Sequence, residues 1–192
     1  MTARLLLICH ASTDALRRSA FAADEPLDDI GRRDAAAAAG SLPHADRIWV
    51  SPELRTRQTA QELGLDAAVQ PSLRDCDCGA WRGCTFDDVQ AREPEAVAAW
   101  LRDPAAAPHG GESIVALTQR VAVWLAGEHG QHRQSIVVTH ATIIRAAIVH
   151  AIDATPQSFW RIDIVPLSGT RLSGTHGRWN LVTANCPLNG ST

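Results

Sequence analysis

Arg4-Leu5-Leu6-Leu7-Ile8-Cys9-His10 is an apolar run that stops on a histidine, and Ser135-Ile136-Val137-Val138-Thr139-His140 repeats the pattern late in the chain. Neither shows the alternation of a half-exposed strand. A continuous apolar run bounded in this way suits a strand covered on both faces, as in a parallel sheet. Ligands of such sheets collect beyond the carboxyl ends of the strands, so both histidines are expected at one edge of the molecule.

The intervening chain alternates in kind. Turn chemistry at residues 23–29 precedes a helix that begins near Ile30 or Gly31 and follows the alanines to Gly40. Residues 46–50 read as a second strand, closed by Ser51-Pro52 ahead of a helix over 54–63. A short extended piece near Val69 leads into Leu73-Arg74-Asp75-Cys76-Asp77-Cys78-Gly79, where alternating residues would share a face of an extended chain. Two short helices are expected at 86–92 and 95–101. After the linker at 104–108, a long amphipathic helix runs over 113–128, ended by Gly127 and Gly130. Residues 143–152 form a further helix, and 159–165 with two later runs read as closing strands. The sum is an α/β fold: a three-layer αβα sandwich with a mostly parallel central sheet, organised as a single domain over 1–192.

Composition excludes several classes of function. The 192 residues are 45% hydrophobic and 20% charged with a net charge of −3, and every one of the 18 basic residues is arginine. These are scattered rather than clustered, so no footprint for nucleic acid or an anionic membrane is present. No apolar run is long enough to span a bilayer or form a signal-peptide core, which makes a cytoplasmic location the expectation. Cys9, Cys76, Cys78, Cys84 and Cys186 are odd in number in a chain that can fold without staples, so reduced thiols are expected.

Five passages occur in order: Leu7-Ile8-Cys9-His10-Ala11-Ser12-Thr13, Ser51-Pro52-Glu53-Leu54-Arg55-Thr56-Arg57-Gln58-Thr59-Ala60, Leu73-Arg74-Asp75, His109-Gly110-Gly111-Glu112-Ser113 and Val137-Val138-Thr139-His140-Ala141. Their sequence and spacing resemble the motifs of the histidine phosphatase superfamily, the phosphoglycerate mutase-like proteins. The resemblance implies a two-step phosphoryl transfer without metal or cofactor: a histidine takes the phosphoryl group from a small-molecule phosphate ester, and water then attacks the phosphoenzyme. His10 matches the nucleophile, its tautomer set by a bond from the second ring nitrogen to a backbone carbonyl. His140 matches the second histidine and Arg55 the arginine that grip the phosphoryl oxygens. Asp75 stands where the family usually has the glutamate that serves as acid and base, with Asp77 as the alternative. Thr13 can donate to bound phosphate or bond its own backbone. Gly110 to Ser113 read as a turn and helix cap.

The pattern also breaks. Cys9 and Ala11 replace the arginine and glycine that flank the family histidine, and Ala141 and Thr142 stand where glycines are common. Without that arginine the phosphoryl site is one cation short, and losing one such donor typically costs about 3 kcal/mol of transition-state stabilisation. Arg17, Arg18, Arg74 and Arg82 are the candidates to replace it, and Cys9→Arg is expected to raise activity. A cysteine-phosphatase reading of Cys9 is disfavoured, since seven residues rather than five separate it from Arg17. For Cys76, Cys78 and Cys84, burial in the core is favoured over a metal site. Sugar phosphates, nucleotides and the phosphorylated nucleoside of cobalamin assembly are open as substrates; a mutase is less expected. A homodimer is compatible with the reading. The competing view is a catalytically weakened relative that binds a phosphorylated ligand or a protein partner.

Overall fold

The computed structural model describes residues 2–128, 133–175 and 177–188. In chain order the elements are β1 (Ala3–Cys9), α1 (Asp14–Arg17), α2 (Asp29–Ala37), β2 (Arg47–Val50), α3 (Leu54–Glu62), β3 (Ala68–Val69), α4 (Phe86–Arg92), α5 (Pro94–Arg102), α6 (Ile114–Glu128), β4 (Gln134–Thr139), α7 (Ala141–Ala151), β5 (Ser168–Thr175) and β6 (Arg178–Pro187). The sheet order is β3-β2-β4-β1-β5-β6. The first four strands in that order are parallel, β5 adds antiparallel to β1, and β6 adds antiparallel to β5.

The two apolar runs lie side by side at the centre, Leu7 against Val137 and Cys9 against Thr139. Because successive side chains point to opposite faces, β1 feeds two cores. Leu5, Leu7 and Cys9 pack with Leu117, Val121 and Leu125 of α6 and Ile144 and Ile148 of α7. Leu6 and Ile8 pack on the other face with Ala60, Leu63 and Ala38, at the ends of α3 and α2. Leu7 and Ile8 are completely buried, each contributing about 1.5–3 kcal/mol of apolar transfer. A third cluster, Trp81, Val89, Val97 and Trp100, joins α4 and α5 over the carboxyl edge of the sheet. No helix among the described residues is long and apolar enough to cross a membrane.

Three expectations are corrected. Residues 159–165 are not a strand: Pro156 opens a 3-10 turn over Pro156–Arg161, and Phe159 is driven into the core under α7 rather than along a sheet edge. Residues 73–79 are not extended either, since a 3-10 turn over Pro71–Leu73 leads into a loop. That loop bonds to the 109–112 turn, with Glu112 N–H on Asp77 O at 2.7 Å and Ala80 N–H on His109 O at 2.9 Å. The approach is close enough that a Cβ on Gly79 would sit 2.0 Å from His109 O, and one on Gly111 2.0 Å from Asp77 O. Gly127 lies within α6 rather than beyond it, and Gly130 is outside the described residues.

Candidate active site

His10 continues the line of β1 by one residue. Its amide bonds to Thr139 O at 2.8 Å, while the amide of Leu167 closes over the strand end onto Cys9 O at 3.1 Å and His10 O at 3.3 Å. Leu167 adopts a left-handed φ of 55° to do so. The imidazole Nδ1 is 2.8 Å from Ala11 O. A carbonyl can only accept, so Nδ1 carries the proton and Nε2 the lone pair. Burial, with the charges of His140 and Arg55 nearby, pushes the His10 pKa down to about 3.

His140 occupies the equivalent place after β4, its ring 5.4 Å from that of His10. Its Nε2 lies 2.8 Å from Glu53 Oε2 and 2.8 Å from Ser51 Oγ. Glu53 also accepts the Asp75 amide at 3.0 Å through its other oxygen. Burial alone would raise the Glu53 pKa, but the bond and charge of His140, with Ser51 and the Asp75 amide, bring it down to about 2.

Arg55 stands in the first turn of α3 and is 1% exposed. It donates to Asp75 Oδ2 at 2.5 Å and Ala23 O at 2.9 Å, and lies 3.8 Å from Glu25 Oε1. Its Nε and His140 Nδ1 are buried without a hydrogen-bond partner. Asp75 accepts further bonds from Thr142 Oγ1 at 2.5 Å and the Cys76 amide at 2.8 Å. Burial opposes ionisation there, yet His140, Arg55 and Thr142 outweigh it and hold the carboxyl well below the usual carboxylate range.

The loop carrying Asp75 is strapped from α6. Arg120 grips both oxygens of Glu112 at 2.8 and 2.6 Å and donates to the carbonyls of Ser72 at 2.7 Å and Arg74 at 3.0 Å.

His10, Arg55, Asp75 and His140 therefore meet, around a cavity of about 250 Å³. Thr13 lines it too, but its hydroxyl caps α1 by accepting from the Leu16 amide at 3.1 Å and faces Glu25 at 3.4 Å. Asp77 is turned away and exposed, accepting the Gly79 amide at 2.9 Å. Arg17, Arg18, Arg74 and Arg82 do not line this cavity; Arg17 pairs with Asp14 and Asp28, and Arg74 with Glu112. The second arginine in its wall is Arg145 of α7. Cys9 is buried beneath α7, and burial, with the Asp75 charge, pushes its thiol up to about 12. Cys76, Cys78 and Cys84 are half-buried and packed against the core clusters, and Cys76 and Cys78 also reach the cavity wall. Among the described residues no cluster is placed to hold a metal ion.

Sequence reasoning passed over Glu53, Thr142 and Arg145. Glu53 lies inside a quoted motif, and nothing local marks it as the partner of a histidine 87 residues away. Arg145 did carry a signal, a single charge inside the apolar stretch Ile143-Ile144-Arg145-Ala146-Ala147-Ile148.

The profile of the histidine phosphatase superfamily (branch 1) matches residues 5–187. The chain belongs to this superfamily. A glucosyl-3-phosphoglycerate phosphatase of Mycolicibacterium vanbaalenii is 34% identical over 211 residues, covering 93% of this chain and 92% of that protein. A bifunctional protein of Mycobacterium tuberculosis is 34% identical over 180 residues, 86% of this chain, and the chain spans about half of its length (49%). The solved structure of a mycobacterial glucosyl-3-phosphoglycerate phosphatase superposes with a TM-score of 0.83 at 27% identity, covering 97% of this chain and 100% of that one. The superfamily fold is thus present from end to end of the sheet, including the antiparallel β5 and β6.

Proposed function

We propose that this protein is a phosphatase that hydrolyses small-molecule phosphate monoesters through a phosphohistidine on His10. The observation that carries the reading is the state of His10: one nitrogen is bonded to a carbonyl, the other is unprotonated at neutral pH, and the ring lines a cavity shared with Arg55 and His140. The phosphatase names of relatives support it, among them phosphoserine phosphatase 1 of Hydrogenobacter thermophilus, 27% identical over 168 residues.

In this reading Nε2 attacks phosphorus, an N–P bond forms, and the ester P–O bond breaks with its electrons leaving on the alcohol oxygen. Water then attacks phosphorus and returns Nε2 to its starting state, with inorganic phosphate released. Arg55 and His140 face the phosphoryl oxygens, where preorganised donors are worth most.

Asp75 is the acid and base, with a condition attached. Paired to Arg55 at 2.5 Å it is a firm carboxylate and a poor acid. A phosphate dianion that takes Arg55 for itself removes that partner and adds negative charge beside Asp75, and both changes raise its pKa toward the range needed to protonate the leaving oxygen.

The test is intact-protein mass after brief exposure to an activated phosphate ester at acidic pH, run beside His10→Ala. A phosphoryl adduct on the parent alone is expected. Absence of both adduct and turnover would leave the ligand-binding relative as the correct reading.

A further inference from the structure

The amino end of the sheet carries a second cavity. Pairing sets Gln134, Arg4 and Ser173 side by side across β4, β1 and β5, with Ile136, Leu6 and Arg171 in the next row. Paired residues project to one face, so Arg4 and Arg171, distant in sequence, become diagonal neighbours about 7–8 Å apart. Ile136 and Leu6 are covered by Ala38, Ala60 and Leu63, at the ends of α2 and α3. That cover stops short of Arg171, which is exposed, and a cavity of about 390 Å³ opens there. Arg4 begins the line of β1 that His10 ends, which separates this cavity from the active site by about 20 Å at the rise of an extended strand.

The lining is one-sided in charge. Arg4, Arg171, Gln134 and Ser173 all carry hydrogen-bond donors, and no carboxylate reaches it. Neither arginine has an ion-pair or hydrogen-bond partner for its guanidinium among the described residues. Asp46 lines the adjoining cleft, where its carboxylate accepts the amides of Arg133 and Gln134 at 3.0 and 2.9 Å. The apolar part of the wall comes from a bulge. Arg171 pairs with Thr183 and Leu172 with Leu181, so Val182 is an extra residue in β6. A bulge re-aims a side chain, and Val182, 57% exposed, is turned to the cavity opposite Pro43 of the loop after α2.

We propose that this cavity binds an amphipathic anion: a carboxylate or phosphate head group gripped by Arg4 and Arg171, and a short apolar chain laid over Leu6, Pro43 and Val182. Both parts of the ligand are needed. Guanidiniums in contact with water hold a bare anion weakly, and the apolar strip is too small to hold an uncharged chain. The proposal is independent of the phosphatase reading, since none of these residues belongs to the active site.

The test is titration of the His10→Ala protein with octanoate and with octyl phosphate, followed by amide chemical shifts. Saturable shifts are expected at the amides of Arg4, Arg171 and Val182, and the tighter of the two ligands identifies the head group. Acetate and 1-octanol are expected to bind at least tenfold more weakly than octanoate. Arg4→Gln with Arg171→Gln is expected to weaken octanoate about tenfold or more, the value of charge-assisted contacts, and Val182→Asp to abolish the shifts. Turnover of p-nitrophenyl phosphate by Arg171→Gln should match that of the parent. Three results overturn the inference: no shift at these amides with either ligand, acetate binding as tightly as octanoate, or octanoate binding unchanged by loss of both arginines.

Discussion

At the scale of single residues, the site is a balance of charges held out of water. His10→Ala is expected to lower kcat by about 10³-fold or more, measured with p-nitrophenyl phosphate, since the groups of such a site act as a unit. Asp75→Asn is expected to lose about 10²–10⁴-fold, most severely with poor leaving groups that need the proton. The pH dependence of stability has a definite sign. His10 is neutral in the fold down to about pH 3 but protonates near 6.5 once unfolded, so the unfolded state binds more protons between those values and stability falls as pH drops through them. Thermal unfolding at pH 7 and pH 4.5 should show a smaller difference in His10→Asn than in the parent. Restoring an arginine at position 9 carries a stability cost. Cys9 is 2% exposed, packed against α6 and α7 and absent from the cavity wall, so Cys9→Arg overfills the core and is expected to lower Tm, at a cost of about 1–3 kcal/mol.

Between elements, the position of Asp75 depends on a loop that no strand supports. Arg120→Met removes the strap and leaves Glu112, whose side chain is 10% exposed, with only the half-exposed Arg74 at 3.7 Å as a cation. A loss of about 3 kcal/mol in chemical denaturation is expected, together with a lower kcat, because three carbonyls from Ser72 to Asp75 lose their donor. This region is also where the sequence was hardest to read. The strands at 4–9 and 134–139 announce themselves because burial on both faces demands unbroken apolar residues. Alternation around Asp75 and Asp77 carried no such meaning, since those side chains answer to Arg55 and to the Gly79 amide rather than to the two faces of a sheet. Residues 159–165 have strand-like composition for another reason: Phe159 and Trp160 line the underside of α7 and the cavity wall. His10, Arg55 and His140 were legible because each sits at an element boundary that the local pattern defines, whereas Asp75 was reached only through the resemblance of its motif. Glu53 was not, since its partner His140 is set by packing between distant elements, and Arg145 showed only as a lone charge in an apolar helix, with nothing local to say what it faces.

At the scale of the whole molecule, β1 is the strand on which both cores and the proposed nucleophile depend, and its neighbours come from late in the chain. Leu7 pairs with Val137 on one side and Thr170 on the other. Within this domain β1 is thus among the last strands to be covered, since both of its edges wait for β4 and β5. Closing such long loops before any contact rewards them slows folding, so refolding from denaturant should be slow and should yield less soluble protein as concentration rises, with β1 amides among the last to gain protection from hydrogen exchange.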